Sequence, residues 1–511
     1  MINKVITSIA KATVLLTLFT ILSKVIGLVR EMIYARNFGL TSQFELFLVS
    51  AVIPIVVNTS VVYLGQHYFI PAYNRAKYNS EEEAHKFFST TFWSFVFGGI
   101  LLALILFMLS GIIVNIFLSS QSLQFQEIGT EIFSLFLFTI PINAGMYIVI
   151  AYLQANFHFI YPAITQIIMN IILIAVIIVF TDIFQIFVLP LAFLFSYLVA
   201  FIIILVPVRK IINFNFSSVF RYKQKLTDIK VVTTLIFIEG LSLSYVLVDR
   251  YFLNEIPPGS IAALNYAIII FSLPVSIFSI SLITTFFSKF SRSFLNNRET
   301  LKSDFYRAIS INAFIIIPIT FVLIFWGDFF IQLFYQRGKF SAADTVLTHN
   351  LLQYYSVGLV FYSSYLVIVK LLYSANRYKP VLIISTLAFL LKIIFNFSFV
   401  SFLQQNGLAL STSVVYIILF FTGAYLAVKV LNMKSKYFHI FNVLYFAISA
   451  TVAYVTSLLL SNLFDGYGYF TIVISMIVFI SIYITNSKLL CDEEFGIIMN
   501  SINSFFQKQK R

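Results

Sequence analysis

The first long apolar run of this chain carries charged side chains in its middle. The run covers residues 12–34, which is long enough for a helix to cross a lipid bilayer. Its segment SKVIGLVRE, residues 23–31, contains the two cations Lys24 and Arg30 and the acid Glu31. A charge near the centre of a membrane helix costs about 2.5–3.5 kcal/mol. We therefore expect these side chains to face a protein partner or a wet cavity rather than lipid.

The composition indicates that the rest of the chain also lies in a membrane. Of its 511 residues, 60% are hydrophobic and only 10% are charged, whereas soluble domains carry about 25% charged residues. The composition predicts an all-α polytopic membrane protein with about 14 transmembrane helices. The first span is too long for a cleaved signal, and a single cysteine excludes an internal disulfide. The predicted spans are 12–36, 44–70, 90–117, 131–154, 162–180, 186–207, 231–253, 262–287, 308–333, 349–373, 381–400, 408–428, 439–461 and 469–486.

The basic residues predict an orientation. With the N-terminus in the cytoplasm, 25 of the 33 Lys and Arg residues fall in cytoplasmic segments, three in outer loops and five within spans. This asymmetry follows the positive-inside rule and predicts that both termini are cytoplasmic. The net charge of +13 is then a consequence of topology, so we expect no nucleic-acid partner.

An internal repeat appears at a spacing of about 220 residues. Val29-Arg30 is echoed by Asp249-Arg250, and Pro54 is echoed by Pro274. Two parallel six-helix repeats are typical of one class of transporters. The predicted divisions are a lobe over 1–207, a basic cytoplasmic linker over 208–230, a second lobe over 231–428, and two further helices with a cytoplasmic tail over 429–511.

The charges within the spans predict an anion site. Lys24, Arg30 and Arg250 are the candidate substrate-binding residues, since Arg clamps phosphate bidentately and Lys offers a point charge. Spans 1 and 7 are equivalent in the repeat, so their charged faces can meet between the lobes. The alternative is that these cations form internal ion pairs. The acids that could balance them, or couple transport to protons, are Glu31, Glu239 and Asp249, with Glu45 as a further possible partner of Arg30.

The sequence contains few other candidate residues and no motif typical of an enzyme or a metal site. Lys370 and Lys392 are secondary candidates, because each is a cation within a predicted span. The five histidines show no metal-ligand spacing, and neither a phosphate-binding loop nor a nucleophile motif occurs. We therefore expect no enzyme activity, no metal and no cofactor, with transport driven by ion gradients or the membrane potential. Ser341 and Asp344 predict a capped helix start.

Five motifs stand out in both halves of the chain: residues 23–31, Phe38-Gly39, VDRYF at 248–252, PGSIAALNYA at 258–267 and RGKFSAADT at 337–345. In these motifs the chain resembles the MurJ/MviN family of lipid II flippases, within the multidrug/oligosaccharidyl-lipid/polysaccharide exporter superfamily. The resemblance implies fourteen spans, a V-shaped pair of lobes with a central cationic cavity, and a groove beside spans 13 and 14 for a polyprenyl tail. It also implies that Arg30 matches a cavity arginine of the family.

The chain also departs from the family pattern. Lys24 stands where a second arginine is common, and Asn58 and Thr59 occupy the region after Pro54 where members often have an Arg pair. Ile268 and Ile269 stand where many members have Asp-Arg. One turn after Asn396, some members have an acid that looks like part of a sodium site, and this chain has Val400 there. These departures make the cavity less cationic than in a typical member. A different lipid-linked oligosaccharide, such as an O-antigen or capsule unit, therefore stays an alternative substrate.

The leading hypothesis is a flippase that moves an undecaprenyl-diphosphate-linked glycan to the outer leaflet of the bacterial cytoplasmic membrane by alternating access. Its partners would be the polyprenyl-diphosphate-linked sugar and the bilayer, and we expect a monomer. The alternatives are an exporter of O-antigen or capsule units and a drug or cation exporter of the same superfamily. A membrane polymerase or glycosyltransferase would need a sizeable outer loop, and a structural scaffold would tolerate neutral residues at the buried charges.

Overall fold

The computed structural model describes residues 22–209, 226–296, 298–375, 377–432, 440–461 and 469–490, together with residues 19, 495, 496 and 499. All regular secondary structure in these residues is helical, as expected where lipid offers the backbone no hydrogen-bond partner. Most of the predicted linker, the start of the first predicted span and most of the C-terminal tail lie outside the described residues.

The described helices include eight runs that are long and apolar enough to cross a membrane, or ten if each of two bent pairs forms one span. Both bent pairs change direction by 45° at a short break, and they coincide with the predicted spans 44–70 and 349–373. The run Ile160–Leu205 holds 46 residues and contains two predicted spans. The all-α polytopic class is thus confirmed, while the number fourteen stays a prediction.

The chain forms two compact units, and the first comprises Met1–Ala262 with Arg337–Phe340. One core lies where α3, α4, α5 and α10 pack against α8. The helices of the first unit are α1 (22–38), α2 (Ser42–Ser50), α3 (Val52–Leu64), α4 (Ile70–Asn79), α5 (Glu81–Met108), α6 (Ser110–Leu118), α7 (Leu123–Leu137), α8 (Thr139–Ala155), α9 (Ile160–Phe184), α10 (Val188–Leu205) and α11 (Leu226–Tyr251).

The helix α11 belongs to this first unit although the repeat assigns it to the second lobe. It packs along α3, and its polypeptide continues through a short 3-10 turn that also contacts α6. Asn254 in that turn donates to the carbonyl oxygen of Phe117 at 2.9 Å and accepts from Gln121 at 3.0 Å. The division into lobes at 208–230 remains a prediction.

The second unit comprises Ala263–Gln336 and Ser341–Arg511. Its long helix α14 packs against α13, α15, α16 and α19, and the hydroxyl of Tyr483 on α20 donates to the Phe314 carbonyl at 2.9 Å. The helices are α12 (Ser260–Pro274, which begins in the first unit), α13 (Ile280–Asn296), α14 (Arg298–Tyr335), α15 (Ala342–Ser356), α16 (Leu359–Ser374), α17 (Tyr378–Leu403), α18 (Gln405–Leu431), α19 (Ile440–Ser461) and α20 (Tyr469–Leu490).

Unusual backbone recurs at the predicted repeat spacing. Gly39 and Gly259, 220 residues apart, both have positive φ, and so do Gln185 and Gln404, 219 residues apart. The two glutamines share φ near +47° and ψ near −128° and each joins two helices that pack against one another. A π-helical segment follows α3 and another follows α12. Gly39 and Gly259 both lie in the first unit, whereas the two glutamines and the two π-helical segments fall one in each unit.

The helix ends follow their capping residues. The side chain of Ser341 accepts from the Asp344 amide and the Asp344 carboxylate accepts from the Ser341 amide, which confirms the predicted capped start of α15. Ser80 caps α5, and the acidic run 81–83 forms its first turn, where negative charge is favourable. The observed helices extend beyond the predicted apolar spans because such polar, capped turns continue the helix outside the apolar segment.

Candidate functional site

The ion pair between Arg30 and Glu31 is the main charged feature of α1. The Nη2 atom of Arg30 lies 2.5 Å from Oε1 of Glu31, and Nε of Arg30 donates to the same oxygen at 3.2 Å. The Arg30 side chain is 27% exposed, while that of Glu31 is 8% exposed. Of the two acids considered for Arg30, Glu31 is the one in contact. The charge of the arginine is thereby balanced while part of its surface stays open.

Two further groups orient Arg30. Its Nη1 atom donates to the side-chain oxygen of Asn170 on α9 at 3.2 Å, and its guanidinium carbon lies 5.6 Å from the ring centre of Tyr34. A cation near the face of an aromatic ring is attracted by the ring quadrupole. Arg30 is therefore held by a charge, an amide and a ring, which together fix the plane of the guanidinium.

Lys24 lies about 1.7 turns before Arg30 on α1 and is exposed. Within the described part of the chain it makes no hydrogen bond or ion pair that would neutralise it. Glu239 and Asp249 on α11 are half-buried.

Arg250 lies at the end of α11 and is only 6% exposed. Its Nη1 atom donates to the carbonyl oxygen of Ile261 at 2.9 Å. The backbone amides around Ile261 are held by Glu45 on α2, whose carboxylate accepts from Gly259 at 2.7 Å, from Ile261 at 2.7 Å and from Ala262 at 3.3 Å. Glu45 thus faces the N-terminus of α12, where a negative charge is stabilised by free amides and by the helix dipole.

Asn58 joins two helices of the first unit. It is 4% exposed, and its Nδ2 atom donates to the hydroxyl of Thr139 at 2.8 Å. Asn143 on α8 donates back to the Asn58 carbonyl at 3.0 Å. These bonds connect α3 to α8 within the core, so Asn58 makes polar contacts between helices.

The secondary candidates of the second unit have different surroundings. Lys370 is half-buried, with its Nζ atom 5.5 Å from the ring centre of Phe287 and 5.8 Å from that of Tyr373. Lys392 and Asn396 are both fully buried on α17 and share a polar cluster with the start of α18. Among the described residues no group of three or more His, Cys, Asp or Glu could hold a metal ion.

The contacts described for the candidates form three groups, two in the first unit and one in the second. Arg30 joins Glu31 on α1, Arg250 shares the Gly259–Ala262 segment with Glu45, and Lys392 joins Asn396. The sequence reasoning missed Asn170, which lies 140 residues from Arg30 along the chain. Its only signal was an amide in an otherwise apolar span, and such a residue usually has a buried polar partner.

Comparison with known proteins identifies relatives of this chain. The sequence model of a family described as "Lipid II flippase MurJ" matches residues 34–479. A Borreliella burgdorferi protein named "Probable lipid II flippase MurJ" is 27% identical over 418 residues, which cover 80% of this chain and 81% of the relative. A Thermotoga maritima protein of the same name is 25% identical over 500 residues, which cover 96% of this chain and 98% of the relative.

Solved structures agree on the fold. A structure titled "Lipid II flippase MurJ, inward closed conformation" matches with a TM-score of 0.76 at 23% identity, covering 93% of this chain and 98% of that one. A multidrug resistance MATE family transporter of the MOP superfamily matches with a TM-score of 0.68 at 14% identity, covering 80% and 94%. Since the family match extends over most of the sequence, the chain belongs to the MurJ family of lipid II flippases.

Proposed function

We propose that this chain moves a polyprenyl-diphosphate-linked glycan, lipid II or a close relative, from the inner to the outer leaflet of the bacterial cytoplasmic membrane during cell-wall synthesis. The family match over residues 34–479 carries this proposal. The chain would act by alternating access, as a monomer, with both termini in the cytoplasm. The cytoplasmic placement rests on the distribution of its Lys and Arg residues.

Arg30 is proposed to bind the diphosphate. Its guanidinium has five N–H donors in a rigid fork, and its described bonds engage Nε, Nη1 and Nη2. A diphosphate offers several anionic oxygens that match this fork bidentately. Because the side chain is 27% exposed, a ligand can approach it without unfolding α1. Arg30 lies before residue 34, where the family match begins. Its proposed role therefore rests on its contacts and exposure.

Glu31 is proposed to be the counter-ion that a substrate replaces. A cation in a membrane segment is tolerated when an opposite charge and hydrogen bonds accompany it. The carboxylate of Glu31 supplies both at 2.5 Å. A bound diphosphate would compete with Glu31 for the Nε and Nη2 donors of Arg30. Binding then exchanges one anion for another, so the Arg30 cation is never left unpaired in the membrane.

Lys24 is proposed to add a second positive charge, because it is exposed and lies on the same helix. Arg250 is proposed to hold the Ile261 backbone rather than the diphosphate, since it is nearly buried and its Nη1 atom donates to the Ile261 carbonyl. Asp249 and Glu239 remain candidates for charge balance.

The test is leaflet exchange of lipid II in vesicles that contain the purified protein. Arg30→Ala is expected to reduce the rate at least about tenfold, since a charged hydrogen bond contributes about 1.5–3 kcal/mol. Arg30→Lys keeps the charge but loses the fork, and an intermediate rate is expected. Arg75→Ala, which changes an exposed arginine on α4, is the matched control and should translocate at the wild-type rate.

Wild-type exchange by Arg30→Ala, with normal insertion and thermal stability, would remove Arg30 from the mechanism. Competition decides between substrates. Unlabelled lipid II, an O-antigen-type lipid-linked sugar and a cationic drug are each added in excess. Inhibition by lipid II supports the proposal, inhibition by the other lipid-linked sugar alone indicates an exporter of such units, and inhibition by the drug alone indicates a drug exporter.

A further inference from the structure

Lys392 is a fully buried lysine near the middle of the long helix α17. A lysine in an apolar helix is costly unless its ammonium finds partners. Here the Nζ atom lies 3.0 Å from the carbonyl oxygen of Leu408, 2.8 Å from Oγ of Ser411 and 2.6 Å from Oγ1 of Thr412. These three oxygens belong to the first turns of α18, and all of them are neutral.

The hydrogen-bond pattern indicates a charged ammonium. The hydroxyl of Thr412 donates to the Leu408 carbonyl at 3.0 Å, and that of Ser411 donates to the Asn396 side-chain oxygen or to Leu408. Each hydroxyl has only one hydrogen, so each presents lone pairs to Nζ. Three acceptors then match the three N–H donors of a protonated lysine.

A close helix approach builds this cluster. A Cβ atom on Gly407 would lie 2.5 Å from both the backbone carbon and the oxygen of Phe399. Only glycine therefore allows the start of α18 to lie against the end of α17. The turn between them passes through Gln404, which has φ +48°. The result is an oxygen cage that closes around a single positive charge.

We propose that the Lys392 ammonium is a tethered cation occupying a monovalent-cation site formed by Leu408, Ser411, Thr412 and Asn396. The site then carries its own charge permanently, and no soluble ion is required there. The three oxygens described around Nζ are uncharged, which suits an ion of charge +1, and the lysine supplies that ion at no cost in translational entropy. This inference goes beyond the proposed function and does not depend on the identity of the transported lipid.

The test is chemical rescue of thermal stability in the purified, detergent-solubilised chain. Lys392→Ala removes the atoms of a propylammonium group and leaves the cage open. Ethylammonium chloride, compared with choline chloride at equal concentration, is expected to raise the Tm of this variant by about 2 °C or more through mass action. The wild-type Tm should respond equally to both salts, because its cage is filled.

Lys370→Ala is the matched control. It removes another lysine from a membrane helix, but the described contacts of that ammonium are the rings of Phe287 and Tyr373. No selective response to ethylammonium is expected for this variant, and none for the double variant Lys392→Ala/Thr412→Val. A Lys392→Ala protein whose Tm is the same in both salts would overturn the proposal, and so would an equal response of Lys370→Ala.

A second variant keeps the lysine in place in case Lys392→Ala does not fold. Thr412→Val preserves the shape of the side chain and removes the acceptor 2.6 Å from Nζ. Its Tm is expected to fall relative to the wild type, and to fall equally in both salts. An unchanged Tm would contradict the cage, because the shortest described bond to the ammonium would contribute nothing. Both readouts are Tm values and do not depend on transport. The test therefore stays valid even if the chain does not transport the proposed lipid.

Discussion

Replacing Glu45 should loosen the start of α12. Its carboxylate accepts two amide hydrogen bonds of 2.7 Å, from Gly259 and Ile261, and a longer one of 3.3 Å from Ala262. These amides lie at the beginning of a helix, where no carbonyl of the same helix is available to them. Glu45 is itself only 3% exposed, so water cannot easily replace it.

The magnitude follows from the bonds that are lost. A hydrogen bond to a charged group contributes about 1.5–3 kcal/mol, so the two short bonds together contribute about 3–6 kcal/mol in Glu45→Ala. Glu45→Gln keeps one acceptor oxygen without its charge, and about half of that loss is expected. A local free-energy change of 3 kcal/mol corresponds to roughly a hundredfold change in an opening equilibrium.

Hydrogen exchange measured by mass spectrometry tests this expectation. Peptides that contain Gly259, Ile261 and Ala262 should exchange about a hundredfold faster in Glu45→Ala, with Glu45→Gln between that variant and the wild type. Glu131→Gln is the control, since that acid is exposed on α7. It should leave exchange at residues 259–262 unchanged.

Unaltered protection of residues 259–262 in Glu45→Ala would refute the reasoning, because the carboxylate would then not be the partner that protects those amides. A uniform rise in exchange throughout the protein would also contradict it. That pattern would mean that Glu45 supports the whole fold rather than one helix start.

Two other packing features lead to predictions of stability. Gly407→Ala should destabilise the protein by about 1–3 kcal/mol, since the new Cβ atom would overlap the Phe399 backbone, which cannot easily move. Gly98→Ala, at a helical position with nothing within 4 Å, should be neutral or slightly stabilising in the same thermal unfolding assay. Tyr483→Phe removes the 2.9 Å bond to the Phe314 carbonyl and should cost about 0.5–1.5 kcal/mol. A Tm for Tyr483→Phe equal to that of the wild type would show that this bond does not help to hold α20 on α14.

The general class of this protein could be predicted because hydropathy and charge are local properties of the sequence. The apolar runs predicted a polytopic helical protein, and Ser341 with Asp344 predicted a capped helix start that the structure confirms. The broken spans were harder to predict. Trp326 interrupts α14 with φ −127° and ψ 19°, and the π-helical segments depend on how neighbouring helices pack, which a hydropathy profile does not record.

The partners of the buried charges were the part that could not be predicted. Two acids were possible for Arg30, and spacing alone could not choose between them. The structure pairs Arg30 with Glu31 and places Glu45 on the amides of Gly259, Ile261 and Ala262. An amide 214 residues away along the chain becomes a neighbour only when helices pack.

The amino-acid sequence was enough to predict a membrane protein, because the cost of exposing its apolar runs to water depends on composition and length. It also determined that several cations must be compensated there, since an isolated charge in hydrocarbon is unfavourable wherever it occurs. How each cation is compensated depends on the packing of the helices. Arg30 has a carboxylate, Lys370 lies near two rings and Lys392 has a cage of neutral oxygens. Hydrogen bonds act over about 3 Å, so these partners depend on which helices come into contact and in which register.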